Sequence, residues 1–305
     1  MSAETTGPER PDVFRGFVRR HPLVCFFVLA YAIAWLIEIP MDLSASGVLA
    51  LALSKRDLAF GIILATFAPT AAAFIMTALV DGRNGVVRLL RRYVQWRAGI
   101  QWYLFVLVGI PIIILLGTIV VPGAIASFQP EIAPFVVGYP LAFATTFFLG
   151  GPFGEEPGWR GFALPRMQRK SGPLLGAVFL GMLWSFWHFP LFFSGVWTPP
   201  TLANMIMFVG MTTALTIIMV WVFNHVGGSL LIMMLMHASF NTFANRVSGL
   251  FPAPIFNDYG LLPVLIGFGG TAIVLVVITR GQLGYESKAA RRFAEANVLT
   301  GESAA

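Results

Sequence analysis

Eight stretches of about 20 mostly apolar residues organise this chain of 305 residues. A helix needs about 20 such residues to cross the hydrocarbon core of a bilayer, and the intervening stretches hold the Pro, Gly and charged residues expected of loops. The pattern therefore predicts an all-α integral membrane protein, a bundle of about eight transmembrane helices. The predicted spans are residues 23–40, 58–80, 103–122, 136–155 or beyond, 172–193, 202–223, 228–246 and 260–279.

Charged residues support the membrane class by their number and their distribution. They make up 11% of the chain, whereas a soluble protein carries about a quarter. If the N-terminus is cytoplasmic and the chain crosses eight times, all but three of the 20 basic residues lie on the cytoplasmic side. Cytoplasmic loops carry such an excess. The exceptions are Lys55, Arg56 and Arg246.

This topology predicts a multi-pass protein of a plasma membrane, such as a bacterial inner membrane, with both termini cytoplasmic. The net charge of +6 is then a topological signal and does not indicate nucleic acid as a partner. We expect a cytoplasmic tail at residues 1–22, one transmembrane domain at 23–280 and a second cytoplasmic tail at 281–305. Residues 81–102 mix arginines with apolar side chains, which fits either an amphipathic helix on an anionic leaflet or an ordinary loop.

A few ionisable side chains interrupt the apolar segments. Each costs about 2.5 kcal/mol or more inside a bilayer, and such residues mark functional sites. Glu38 lies beside Pro40 near the end of the first segment, and we predict it to be a structural carboxylate at the interface. The other candidates are Glu155, Glu156, His188 and His237, with Asn241 as a neutral polar group.

Two adjacent glutamates lie in the segment GEEPGWRGF. Neighbouring residues on a helix point about 100° apart, so Glu155 and Glu156 face different partners. Arg160 is four residues after Glu156, the spacing at which helical side chains meet, so we predict an ion pair between them. Glu155 is then free to act as a general base. A structural cluster of all three residues at the interface is the alternative.

The depth of these residues depends on how far the fourth helix extends. His188 lies 16 residues into the fifth predicted span, which is about 24 Å along a helix. We therefore predict that the fourth helix begins near Pro140 and continues to about Gln168. Glu155 then reaches the depth of His188, and Arg160 lies within the membrane.

Two further patterns contribute imidazoles. Trp184 is one helical turn before His188 in WSFWHFPLF. His237 and Asn241 share one helix face in MMLMHASFNTF, where they could bind a metal, donate hydrogen bonds to an oxyanion or join two helices by hydrogen bonds. Spans connected by short loops can bring these groups into one polar pocket.

These residues form three ordered motifs, and through them the chain resembles the CAAX prenyl endopeptidase and bacteriocin-processing family of intramembrane proteases, also called the CPBP or Abi family. The family motif EExxxR matches Glu155, Glu156 and Arg160, and HxxxN matches His237 and Asn241. The motif FxxxH matches His188, with Trp184 in place of the Phe. The matching stretch, about residues 140–246, would be a four-helix catalytic core.

The resemblance implies peptide-bond hydrolysis and a role for each matched position. Glu155 and His188 would activate the attacking water, His237 and Asn241 would stabilise the oxyanion, and Glu156 and Arg160 would support them. The family has been described both as metalloproteases and as metal-free glutamate proteases. Two imidazoles and a carboxylate can bind zinc with one position open, so Glu155, His188 and His237 are the candidate ligands. The sequence leaves both mechanisms open, although the HExxH signature is absent from it.

Three functions are therefore compatible with the sequence. The first is an endopeptidase that cleaves a membrane-associated peptide or protein near its C-terminus. The second is a scaffold or immunity-type binding protein that uses the same fold without catalysis. The third is a proton-coupled transporter, which the lack of an internal repeat and of paired broken helices in the sequence disfavours.

Overall fold

The architecture is a bundle of helices, as the apolar segments predict. A computed structural model of the chain describes residues 13–194, 197–251 and 258–286, and over these residues it contains helices and no strand. Each of the eight predicted spans falls on helix. The α-helices are α1 Val13–Arg20, α2 Pro22–Ala45, α3 Lys55–Thr66, α4 Ala68–Tyr93, α5 Ile100–Leu104, α6 Ile110–Ile119, α7 Ile132–Leu149, α8 Pro152–Glu156, α9 Leu164–Trp187, α10 Leu202–His225, α11 Leu230–Arg246 and α12 Leu262–Ile278.

Two pairs of these helices are joined by π-helical turns, which are wider than an α-helical turn. A π-helical turn Phe105–Gly109 joins α5 to α6, and a second, Pro157–Ala163, joins α8 to α9. Among the described residues, five helical runs are long and apolar enough to cross a membrane, which fits an integral multi-pass protein. These runs are Pro22–Ala45, Lys55–Tyr93, Ile100–Ile119, Ile132–Phe193 and Leu202–His225.

The bundle exposes apolar side chains and buries charged ones. Leu36, Val137 and Leu141 are at least three-quarters exposed, whereas Glu156 and Arg160 have no exposed surface. Lipid tails are a suitable environment for such an apolar exterior, and charged groups in a bilayer face the bundle interior. The distribution of polarity therefore confirms the predicted membrane fold.

The fourth predicted helix is interrupted, so its continuity from Pro140 was wrong, but the chain is helical again from Pro152 through Gln168 to a kink at Gly172. Helix α7 ends at Leu149, and Gly151 has a φ of 108°, which favours glycine. Pro152 then starts α8, since proline is well suited to the first turn of a helix. Glu155 consequently lies in the first turn of a new helix, directly after a sharp change in chain direction.

Another break divides the second predicted span. Helix α3 ends at Thr66 and α4 begins at Ala68, which leaves a corner at Phe67. The segment that carries the glutamates packs into this corner through two glycines. A Cβ on Gly154 would lie 2.6 Å from the carbonyl oxygen of Thr66, and one on Gly158 would lie 2.6 Å from that of Pro69.

The predicted tail and the arginine-rich loop also contain helix. Residues 13–20 of the expected N-terminal tail form α1, and Val18 from it is buried. Helix α4 kinks at Gly82 and continues to Tyr93, so the first half of the 81–102 segment is helical. Leu90, Val94 and Trp96 are at least half exposed there. Most of the predicted C-terminal tail, from residue 287 on, lies outside the described residues.

We expect Gly158→Ala to destabilise the fold, because its new methyl group overlaps backbone atoms that cannot move independently. Overpacking of this kind costs about 1–3 kcal/mol. Thermal unfolding of the detergent-solubilised protein would measure the change. Gly270→Ala is the matched control, since a Cβ at Gly270 would have no heavy atom within 4 Å. Equal melting temperatures for the two variants would contradict this account of the α4 contact.

Candidate active site

The predicted polar side chains line one cavity. It has a volume of about 360 Å³, and Glu155, His188, His237 and Asn241 all contribute to its wall. Glu155 comes from α8, His188 follows the last residue of α9, and the other two come from α11. The fold thus brings together side chains separated by as many as 86 positions in the sequence.

Two tryptophans hold the Glu155 carboxylate. The indole Nε1 of Trp184 donates to its Oε2 at 2.7 Å, and the Nε1 of Trp159 donates to the same oxygen at 3.2 Å. All three side chains are almost completely buried. A Cβ on Gly151 would overlap the other oxygen, Oε1, so this glycine provides the space beside the carboxylate.

His188 has one ring nitrogen fixed by the backbone. Its Nδ1 lies 2.8 Å from the carbonyl oxygen of Trp184. A carbonyl only accepts hydrogen bonds, so the proton of the neutral ring is on Nδ1 and the lone pair is on Nε2. The ring packs edge-on against Trp187, with 4.7 Å between the centroids. His188 can therefore accept a hydrogen bond through Nε2.

Glu156, Arg160 and His237 form a buried network. The predicted ion pair is present, with the Nη1 of Arg160 3.0 Å from the Oε1 of Glu156. The same oxygen lies 2.8 Å from the Nδ1 of His237. Arg160 also donates to the hydroxyl of Thr216 and lies over the ring of Trp184, 4.2 Å from its centroid. Glu156 thus orients His237, as a carboxylate commonly orients a functional imidazole.

Asn241 connects α11 to the chain break before α8. Its Nδ2 donates to the carbonyl oxygen of Gly150 at 3.0 Å. A carboxamide nitrogen carries two protons, so a second donor remains beside His237. The glycine turn that separates α7 from α8 is therefore also the anchor of this amide.

The sequence-based interpretation missed two residues of the site. Trp159 follows Glu155 by four positions, the spacing that correctly paired Glu156 with Arg160, so its contact could have been predicted. Arg92 was grouped with the cytoplasmic arginines, yet it donates to the carbonyl oxygens of Arg160, Gly161 and Gly228. The bonds to Arg160 and Gly161 satisfy backbone groups of the π-helical turn. No local sequence pattern predicts them.

The burial of Glu38 contradicts the prediction that this residue lies at an interface. Its side chain is only 2% exposed, and it lines the same cavity as Glu155. The prediction relied on the nearby Pro40 as a sign of a helix end. Helix α2 instead continues through this proline to Ala45, which keeps Glu38 inside the bundle.

The candidate zinc ligands do not converge as a ligand set. Among the described residues, no group of three or more His, Cys, Asp or Glu side chains is arranged to hold a metal ion. Glu155, His188 and His237 share the cavity, but one oxygen of Glu155 is already bound by two indole N–H groups. As placed here, these side chains do not fit a three-ligand zinc site.

Comparison with known proteins gives the same relationship as the motifs. Residues 137–243 match the family described as Type II CAAX prenyl endopeptidase Rce1-like. The CAAX prenyl protease 2 of Methanococcus maripaludis is 36% identical over 67 residues, which is 22% of this chain and 21% of that protein. The matched part thus spans about a fifth of the relative's length. The family resemblance inferred from the three motifs is confirmed.

We expect Arg160→Met to lower the free energy of unfolding by about 3–5 kcal/mol, because it leaves the buried Glu156 carboxylate without its guanidinium. Denaturant unfolding of the detergent-solubilised protein would measure the loss. The double variant Glu156→Met/Arg160→Met should recover part of it, since it removes both charges.

The partly exposed pair of Arg166 and Asp81 provides the control. Arg166→Met should cost no more than about 1 kcal/mol, as is usual for exposed ion pairs. If Arg160→Met were equally mild, the buried network would not stabilise the fold in the way described.

Proposed function

We propose that this chain, which matches the Type II CAAX prenyl endopeptidase Rce1-like family over residues 137–243, is an intramembrane endopeptidase. It would hydrolyse a peptide bond in a membrane-associated peptide or protein, with the water activated by Glu155 and His188. The observation that carries the proposal is the single cavity lined by a carboxylate, two imidazoles and a carboxamide. Peptide-bond hydrolysis needs both a base for the attacking water and donors for the oxyanion.

Glu155 would act as the general base. Its Oε2 is held by two indole N–H groups, so Oε1 is the oxygen available to a water in the cavity. His188 would accept the second hydrogen bond of that water through Nε2, because its Nδ1 is bound to a carbonyl. The two acceptors orient the oxygen lone pair of the water toward a peptide carbonyl, and Glu155 takes the proton as the C–O bond forms.

His237 and Asn241 would stabilise the oxyanion that results. Asn241 has one amide proton free after its bond to Gly150. His237 would donate from Nε2 when its ring carries both protons, with the Nδ1 proton donated to the Oε1 of Glu156. Removal of one oxyanion donor typically costs a factor of about 100–1,000 in kcat.

The substrate class follows from the wall of the cavity and from the family. Apolar side chains, including Phe208, Met211, Leu215, Phe240 and Leu261, make up much of the wall, so a short extended peptide with apolar side chains fits it. We propose cleavage near the C-terminus of the substrate. The bacterial type of the first motif favours an unprenylated peptide, as in bacteriocin maturation or self-immunity. We also propose a bacterial inner-membrane location with both termini cytoplasmic.

Glu155→Gln and His188→Ala should each reduce peptide cleavage by at least about 100-fold, because each removes a group that activates the water. The assay would use the purified protein in proteoliposomes with quenched fluorescent peptides that end in apolar residues, with and without a farnesylated cysteine. His21→Ala is the control, since this histidine is exposed and does not line the cavity.

Both variants should retain the melting temperature of the wild type within a few degrees. Full activity in either variant would remove the assigned chemistry. An inactive wild type with bound peptide would instead favour the scaffold or immunity-type binding function.

Cleavage should persist after exhaustive dialysis against a zinc chelator, because the candidate ligands do not converge in the structure. Initial rates before and after dialysis, together with the zinc content of the purified protein, would test this. Loss of activity that stoichiometric Zn²⁺ restores would instead assign a zinc-dependent mechanism and would require Glu155, His188 and His237 to move together.

A further inference from the structure

One face of α2 packs along the last turn of α9 and continues beyond the end of α9. The hydroxyl of Tyr31 donates to the carbonyl oxygen of Leu183, and the Nε1 of Trp35 donates to that of Trp187 at 3.0 Å. Both the donors and the acceptors are four residues apart, so the two helices run in register here. Trp187 is the last residue of α9. Glu38 is the next residue of α2 on this face, and it lies where α9 has ended.

Tyr31 and Trp35 thus each bond to a backbone carbonyl of α9, whereas Glu38 has no such partner. It is 2% exposed, its buried Oε2 has no hydrogen-bond partner, and it lines the cavity with Glu155. The titratable groups that face it are Asp42 of the same helix and Glu155 of α8. The imidazoles of His188 and His237 share the cavity.

Within the described residues, the other elements around Glu38 present no lysine or arginine to it. Helix α3 presents Ile62 and Thr66 to the cavity, whereas its charged residues Lys55, Arg56 and Asp57 lie in an exposed first turn. The 3₁₀ turn Phe189–Phe193 after α9 presents Leu191. A buried carboxyl without a cation or a donor is least costly in its neutral, protonated form.

The two carboxyl groups of the cavity thus have opposite surroundings. Glu155 accepts two indole N–H bonds, while Glu38 has no such donor among the described residues. Pairs of carboxyl groups whose surroundings differ in this way divide the roles of base and acid between them. Amide hydrolysis needs both roles, because the departing nitrogen must receive a proton as the C–N bond breaks.

We propose that Glu38 is the general acid that protonates the leaving amine, an inference that rests on the proposed peptide hydrolysis. Glu155 takes a proton from water as the new C–O bond forms. The tetrahedral intermediate then collapses, the C–N bond breaks, and the nitrogen receives the carboxyl proton of Glu38. A proton passes from Glu155 to Glu38 through water in the cavity, which restores both groups and releases the acid and the amine.

The experiment compares an amide with an activated ester of the same peptide sequence. A p-nitrophenyl ester releases an anion that needs no proton, so its hydrolysis does not depend on a general acid. Glu38→Gln keeps the size of the side chain but cannot donate a carboxyl proton. We expect it to slow amide cleavage by about 100-fold or more and to leave ester cleavage within a few-fold of the wild type.

The pH profile provides a second readout. The wild type should lose amide activity at high pH, where the carboxyl proton of Glu38 is lost. In Glu38→Gln the remaining activity should no longer fall on the alkaline side because of this group. Glu131→Gln is the matched control, since this glutamate is exposed and does not line the cavity, and it should leave both rates unchanged.

Each outcome decides the proposal. Unchanged amide cleavage by Glu38→Gln would overturn it. An equal loss of amide and ester cleavage would also overturn it, because that pattern indicates a structural role, which the melting temperature would show independently. A wild type that cleaves neither substrate would refute the peptide hydrolase itself, and the acid role with it.

Discussion

The ion pair between Glu156 and Arg160 is the interaction on which the rest of the site depends. Both side chains have no exposed surface in a bundle whose exterior is apolar. An uncompensated charge in that position would cost several kcal/mol, so the pair must form for the segment to be buried. Once it forms, Glu156 holds the Nδ1 of His237, and Arg160 supports the ring of Trp184 that donates to Glu155. One pair thus orients groups from three helices.

The sequence predicted this pair correctly because the pair depends only on two residues four positions apart. The spacing of four residues places Glu156 beside Arg160 on any helical turn, and the apolar runs fix most of the spans because bilayer thickness sets their length. The position of Glu38 was missed for the opposite reason. Whether its carboxylate reaches an interface or a cavity depends on where α9 ends, and α9 is about 150 residues further along the chain. The break at Gly150 and Gly151 depends similarly on the corner at Phe67 into which the next segment packs.

Trp184 stands where the FxxxH motif has Phe, and this exchange of one aromatic residue for another adds a hydrogen-bond donor. A Phe at position 184 could pack against Arg160 and His237 as Trp184 does, but it has no N–H group. Here that N–H makes the shorter of the two hydrogen bonds to Glu155. Trp159 supplies the second donor from the π-helical turn, a kind of helix distortion that often occurs at functional sites. Two neutral donors therefore fix the Glu155 carboxylate, whereas the guanidinium of Arg160 pairs with the neighbouring Glu156.

The cavity extends well beyond the part of the chain that matches the family. Residues 137–243 include the three motifs, yet Glu38, Ile62 and Thr66 from α2 and α3 also line the cavity, as do Leu261 and Val264 near the start of α12. The matched segment holds the side chains proposed to activate water and to stabilise an oxyanion, together with most of the apolar wall, and the unmatched helices add Glu38 and the rest of the lining. A relative that shares the motifs can therefore share the reaction without sharing the substrate, because discrimination depends on wall contacts that the motifs do not determine.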